Sequence, residues 1–122
     1  MTTTPSLVSV VDDDESVRES LPDLLREFGF SVRAFSSAEE FLASDCADQT
    51  KCLILDVGMP GMTGPELQRE LKQRGQKIPI IFITALRDEN MRSQVLREGA
   101  IDCLFKPFSE TALSDAVNAA LA

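Results

Sequence analysis

Five short apolar runs, each followed by a segment with helical spacing, constrain this chain more than any other feature of its 122 residues. The runs are Leu7–Val11, Ser31–Phe35, Cys52–Val57, Ile78–Thr84 and Asp102–Phe105. The first, third and fourth are nearly continuous in Val, Ile, Leu and Phe, the pattern of parallel strands covered on both faces. Ser31–Phe35 places Arg33 between Val32 and Ala34, which suits an edge strand. Between the runs lie amphipathic segments. Val17, Leu21, Leu24, Leu25 and Phe28 form a stripe that Gly29 closes. Ser36 or Ser37 can cap a short helix burying Phe41 and Leu42, and Pro65 suits the first turn of a third. Asp88 can cap a fourth, closed by Gly99, and Ser109 opens the last. Pro22 falls inside the first helix and removes a backbone bond to Arg18, which predicts a bend or a 3₁₀-like first turn. Right-handed crossovers between parallel strands put helices on both faces. The expected fold is a flavodoxin-like (βα)5 doubly wound parallel sheet of order 2-1-3-4-5, with the second strand at an edge. The length fits one domain, residues 1–122.

Ligands of open α/β sheets bind beyond the carboxyl ends of the strands. There the sequence places Asp12, Asp13 and Asp14 after the first strand, Asp56 and Gly58 at the third, Thr84 at the fourth, and Lys106-Pro107 after the fifth. Each has a bland explanation taken alone. An Asp run before a helix is usually an N-cap with first-turn acids, a strand-end Asp a turn former, and a strand-end Thr a satisfied hydroxyl. Together, at one end of one sheet, they point to chemistry. The chain contains no histidine, which removes His-based nucleophile activation and His-ligated metal sites. The cysteines at 46, 52 and 103 have no zinc-like spacing, and Cys52 and Cys103 sit in apolar runs as small buried hydrophobes.

Converging carboxylates repel and raise one another's pKa unless a cation is present. All-oxygen ligation selects a hard ion, and Mg²⁺ needs only one or two carboxylates besides water and a phosphate oxygen. Asp13 and Asp56 are the expected ligands, with Asp12 acting through water and the Gly58 carbonyl adding an oxygen. Lys106 is expected to pair with Asp56 and then with phosphoryl oxygens, and the Thr84 hydroxyl can donate to the same oxygens. Such a set performs in-line attack of a carboxylate on a phosphoryl group, leaving an acyl phosphate on Asp56. The net charge of −8 speaks against direct nucleic-acid binding by this segment. No apolar stretch is long enough for a membrane span, and Met1–Ser6 has no basic-then-apolar signal pattern, which points to the cytoplasm.

These residues resemble the receiver domain of two-component response regulators over essentially the whole chain. The matching pieces are Asp12–Asp13 after Val10–Val11, Asp56 with Met59-Pro60-Gly61-Met62-Thr63-Gly64, Thr84-Ala85, and Lys106-Pro107-Phe108. Runs 11–18, 37–42 and 99–102 are similar to the nitrogen-fixation regulator (FixJ) type. The resemblance implies a signalling module, not an enzyme. Asp56 would take a phosphoryl group from a phosphohistidine on a sensor histidine kinase. Asp12 and Asp13 would organise Mg²⁺, Thr84 and Lys106 would sense the phosphoryl group, and Lys106–Pro107 would be a cis peptide. Thr84 and residues 86–90 would then shift, and the fourth helix and fifth strand would expose a face for homodimerisation. Relatives of this type usually continue into a helix-turn-helix DNA-binding domain, which implies transcription regulation through a segment beyond Ala122. Two positions depart from the common pattern. Cys103 stands where many members carry an aromatic residue that swings inward, so coupling must run through the backbone and packing of the fourth helix. Gly58 stands where relatives often carry a side chain, which should leave the site open to water. Gly58 also argues against a haloacid-dehalogenase-type phosphatase, which wants a second Asp at that position. A pseudo-receiver that never takes phosphate is the remaining rival, against which stands the full set of site residues.

Overall fold

The computed structural model describes residues 5–122, so the part of the N-terminal reading that rests on residues 1–4 lies outside it. Strands β1 (Leu7–Val11), β2 (Ser31–Phe35), β3 (Thr50–Asp56), β4 (Ile80–Thr84) and β5 (Asp102–Phe105) form one parallel sheet in the order β2-β1-β3-β4-β5. Helices α1 (Glu15–Glu27), α2 (Ala38–Ala43), α3 (Gly64–Gln73), α4 (Glu89–Arg97) and α5 (Glu110–Leu121) alternate with them. The sheet separates two cores. Val8, Val10, Cys52, Ile54, Ile81 and Ile83 pack under α1 and α5 with Leu21, Leu25, Leu113 and Val117. Val11, Leu53, Leu55, Phe82 and Cys103 pack under α2, α3 and α4 with Phe41, Leu67, Leu71 and Val95. The period-2 alternation of β3 and β4 between these cores explains why both read as unbroken apolar runs.

Three strand limits differ from expectation. β3 begins at Thr50 instead of Cys52, because the Thr50 hydroxyl pairs with buried Ser9 at 2.7 Å and donates to the Cys46 carbonyl at 2.6 Å. It ends at Asp56, with Val57 keeping one bond to the Ile83 carbonyl. β4 begins at Ile80 instead of Ile78, since Pro79 has no N–H for the ladder and serves it only through its carbonyl, which accepts from Leu53.

The helix ends follow the expected chemistry. Ser37, Asp88 and Ser109 cap α2, α4 and α5, and Gly29 and Gly99 follow α1 and α4 with positive φ. Thr63 and Glu66 form a reciprocal capping box at α3, with Pro65 in its first turn. In α1 the Asp14 carbonyl accepts from both Val17 and Arg18 at 3.2 Å, a first turn shared between 3₁₀ and α bonding. The helix then continues through Pro22, which is buried beside Leu21 and Leu25. Burial on the sheet side offsets the lost backbone bond there.

Candidate functional site

β1 and β3 are neighbours at the point where the strand order reverses, and this brings their C-terminal acids together. One oxygen from each of Asp12, Asp13 and Asp56 lies within 4.8 Å of the others. A cleft of about 200 Å³ is lined by these three residues and by Asp14, Gly58, Thr84, Ala85, Leu86 and Lys106. Every site residue expected from sequence therefore reaches one cleft.

The members differ in environment. Asp12 is fully buried, with its Oδ1 accepting from the Asp14 N–H at 2.9 Å and its Oδ2 from Lys106 Nζ at 3.0 Å. Asp13 is exposed at the rim. Asp14 turns away and caps α1, accepting from the Ser16 N–H and hydroxyl at 2.9 and 2.8 Å, bonds that lower its pKa. So the bland explanation of the acidic run holds for Asp14 alone.

Asp56 is 7% exposed at the end of β3. Burial, first, and then the neighbouring charge of Asp12 push its carboxyl up to about 6, and Lys106 offsets only part of this. Carboxylate repulsion was the expected cause; desolvation outweighs it, because the apolar walls of β1, β3 and β4 seat the acid below the surface. Lys106 Nζ stands 3.8 Å from Asp56 Oδ1, farther than from Asp12. The ammonium thus bridges two acids and lies closer to the one with no access to water, where an unpaired charge costs most.

Thr84 is 2% exposed, and its Oγ1 accepts the Leu86 N–H at 3.0 Å. That leaves the hydroxyl proton free for an acceptor in the cleft. Its carbonyl accepts the Lys106 N–H at 2.8 Å, tying β4 to the residue that carries the ammonium. The Lys106–Pro107 peptide is cis. A Cβ built at Gly58 meets nothing within 4 Å, so the cleft is open on that side.

Cys103 is buried beneath α4, and burial raises its thiol pKa. An aromatic residue nevertheless lies on the same face of β5, two positions nearer the cleft. The Arg87 guanidinium sits 5.6 Å from the centre of the Phe105 ring. Sequence reading passed over this pair because Phe105 reads as one more apolar strand residue and Arg87 as loop. Gly64 enters the sequence reading only as part of the motif after Asp56, with no role of its own. A Cβ there would collide with the Asp56 carbonyl and come within 3.0 Å of the Phe82 ring, so only glycine lets α3 start this close to the acceptor strand.

The fold and cleft together define a doubly wound domain with an all-oxygen, lysine-paired acidic site at its switch point. The sequence matches the response regulator receiver domain model over residues 8–118. It is 48% identical over 117 residues to the transcriptional regulatory protein TdiR of Thauera aromatica, covering 96% of this chain and 52% of TdiR. A low-resolution structure of the response regulator StyR superposes with a TM-score of 0.89 at 48% identity, over 97% of this chain and 60% of that one. A crystal structure of FixJ-N superposes with a TM-score of 0.85 at 38% identity, over 99% of this chain and 95% of that one. The chain belongs to the response regulator receiver domain family, and its relatives include regulators of the FixJ type. It spans about half the length of the curated relatives it matches. Among the described residues, no helix is long and apolar enough to cross a membrane.

Proposed function

We propose that Asp56 is the phosphate-accepting carboxylate of a two-component response regulator, and that residues 1–122 form its receiver domain. The observation that carries this reading is the convergence of Asp12, Asp13, Asp56 and Lys106 on one cleft at the carboxyl ends of β1, β3 and β5.

The donor set fits a hard divalent cation. It offers only oxygens, and three carboxylates face a single ammonium. Asp13, Asp56 and the Gly58 carbonyl would hold Mg²⁺, with Asp12 acting through water. Bound there, Mg²⁺ neutralises charge on the phosphoryl oxygens.

The residues of the chain do the rest. Asp56 Oδ attacks the phosphorus of a phosphohistidine on a sensor histidine kinase. The O–P bond forms as the P–N bond breaks, and its electron pair leaves with the imidazole. Lys106 already bridges Asp12 and Asp56, and it moves onto a phosphoryl oxygen as charge builds there. The Thr84 hydroxyl donates to another. The phosphoryl group stays on Asp56 until water hydrolyses the acyl phosphate, so the domain acts as a switch and not as an enzyme.

The readout follows from the Thr84 contacts. The phosphoryl group brings nearly two negative charges. Reorienting Thr84 toward it frees the Leu86 N–H, and the loop into α4 shifts with Arg87 and Phe105. Leu86 and Ile101, the large hydrophobics exposed among the described residues, precede α4 and β5 at 67% and 41% exposure. They support homodimerisation through the α4/β5 face. A DNA-binding segment elsewhere in the full protein would convert dimerisation into transcription control, in a cytoplasmic setting. The open space beside Gly58 supports ready access of water to the acyl phosphate.

Incubation with acetyl phosphate and Mg²⁺ tests the core of this reading. The expected result is a mass gain of about 80 Da, the size of a phosphoryl group, on the wild type and none on Asp56→Asn. No gain on the wild type would favour a pseudo-receiver, and a gain retained by Asp56→Asn would move the acceptor elsewhere.

A further inference from the structure

The loop that follows Asp56 carries Gly58 and runs to Thr63, the cap of α3. Its own residues anchor it through two apolar side chains, Met59, at 4% exposure in the core with Phe41 and Leu67, and partly buried Met62, while Gly58 has no side chain and Pro60 no N–H. Among the described residues, one hydrogen bond reaches the backbone between Gly58 and Met62. The Met62 N–H donates to Glu39 Oε2 at 3.0 Å, from a residue 23 positions earlier in the first turn of α2. The carboxylate lies directly over the adjoining peptide. A Cβ on Gly61, whose φ is +71°, would come within 2.7 Å of the same Oε2. The positive φ favours glycine there, and a side chain would also have to displace the Glu39 carboxylate from over the peptide.

We propose that Glu39 is a positioning residue for the phosphoacceptor site: by holding the Gly61–Met62 backbone, it fixes the loop on which Gly58 presents its carbonyl to the divalent cation. The proposal rests on the reading of the acidic cleft given above. It assigns a task to the Ser-Ala-Glu-Glu-Phe-Leu run at 37–42, whose other members already have one. Ser37 caps α2, Ala38 and Phe41 are core, Leu42 packs against that core, and Glu40 accepts the Ser36 hydroxyl at 2.9 Å. Within the run, Glu39 alone hydrogen-bonds across to another element. A cation ligand supplied by backbone cannot be steered by its own side chain, least of all at glycine, so its position depends on what grips the peptides beside it.

The test compares wild type, Glu39→Ala and Glu39→Gln in two measurements. One is amide hydrogen exchange at Met62, and the other is a titration with Mg²⁺ alone, followed by the amide resonances of the cleft. Glu39→Ala should speed exchange at Met62 and weaken Mg²⁺ binding about threefold or more, the scale of one lost hydrogen bond. Glu39→Gln keeps an acceptor oxygen and should recover most of both. Unchanged Mg²⁺ affinity in Glu39→Ala, with the wild type binding normally, overturns this inference and leaves the site reading intact. Failure of the wild type to bind Mg²⁺ overturns the site reading and the inference with it.

Discussion

Replacing the phosphoacceptor should stabilise the domain in the absence of metal. Asp56 is pushed from 3.8 to about 6 by burial and by Asp12. The folded domain therefore binds the Asp56 proton more tightly than the unfolded chain does. The resulting stability is fully present below pH 3.8 and is lost as pH rises through 6. Each pKa unit corresponds to about 1.4 kcal/mol, so the whole interval is worth about 3 kcal/mol at most. Relaxation at the mouth of the cleft brings the expected figure to about 1–3 kcal/mol. Asp56→Asn keeps the shape and removes the charge. In EDTA at pH 8 it should raise the unfolding free energy by that amount, or the melting temperature by roughly 3–12 °C. Near pH 4.5 the gap should shrink toward the small difference between a neutral acid and an amide. Urea unfolding of both proteins across that pH range checks the sign and the window. Mg²⁺ should reverse the order, since ligand binding stabilises only the protein that binds it. An Asp56→Asn domain no more stable than wild type at pH 8, or a gap that does not vary with pH, would refute the burial argument.

Two further substitutions probe the same cleft. Lys106→Ala leaves the fully buried Asp12 carboxylate with only the Asp14 N–H as its hydrogen-bond partner, so it should cost about 2 kcal/mol in EDTA. Urea midpoints should show part of this loss recovered by Mg²⁺, and a midpoint equal to wild type in EDTA would discount the bridge. Gly64→Ala drives a Cβ into the Asp56 carbonyl and against Phe82. It should lower the melting temperature and slow the acetyl phosphate reaction, a combination that a remote helix substitution would not give. Wild-type kinetics in that variant would mean that α3 retreats without disturbing the acceptor strand.

Element type and placement were legible in the sequence because they depend on local pattern. Unbroken apolar runs announced strands buried on both faces, and Ser37, Asp88, Ser109, Gly29 and Gly99 marked helix limits with side chains or backbone freedom that act within a turn. Where limits slipped, a longer-range contact decided them. The Ser9–Thr50 bond extends β3 from the neighbouring strand β1, and only the ladder position of Pro79 fixes the start of β4. The site was legible for a related reason. Right-handed connections and the edge-like pattern of Ser31–Phe35 pointed to this strand order, and strand order dictates which strand ends become neighbours.

What the sequence determined, then, is the cast at the cleft: Asp12, Asp13, Asp56, Gly58, Thr84 and Lys106 at one end of a 2-1-3-4-5 sheet. Tertiary structure alone decided how they share charge. Lys106 lies closer to Asp12 than to Asp56, Asp56 is raised more by burial than by its neighbours, and Asp14 leaves the group to cap α1. It also gave Glu39, Gly64 and the Arg87–Phe105 pair their roles, which no local pattern marks. The physical reason is common to all of these. Desolvation, the sharing of one cation between two acids and the fit of one backbone against another depend on distances between segments far apart in the chain, and residue order carries no direct record of those distances.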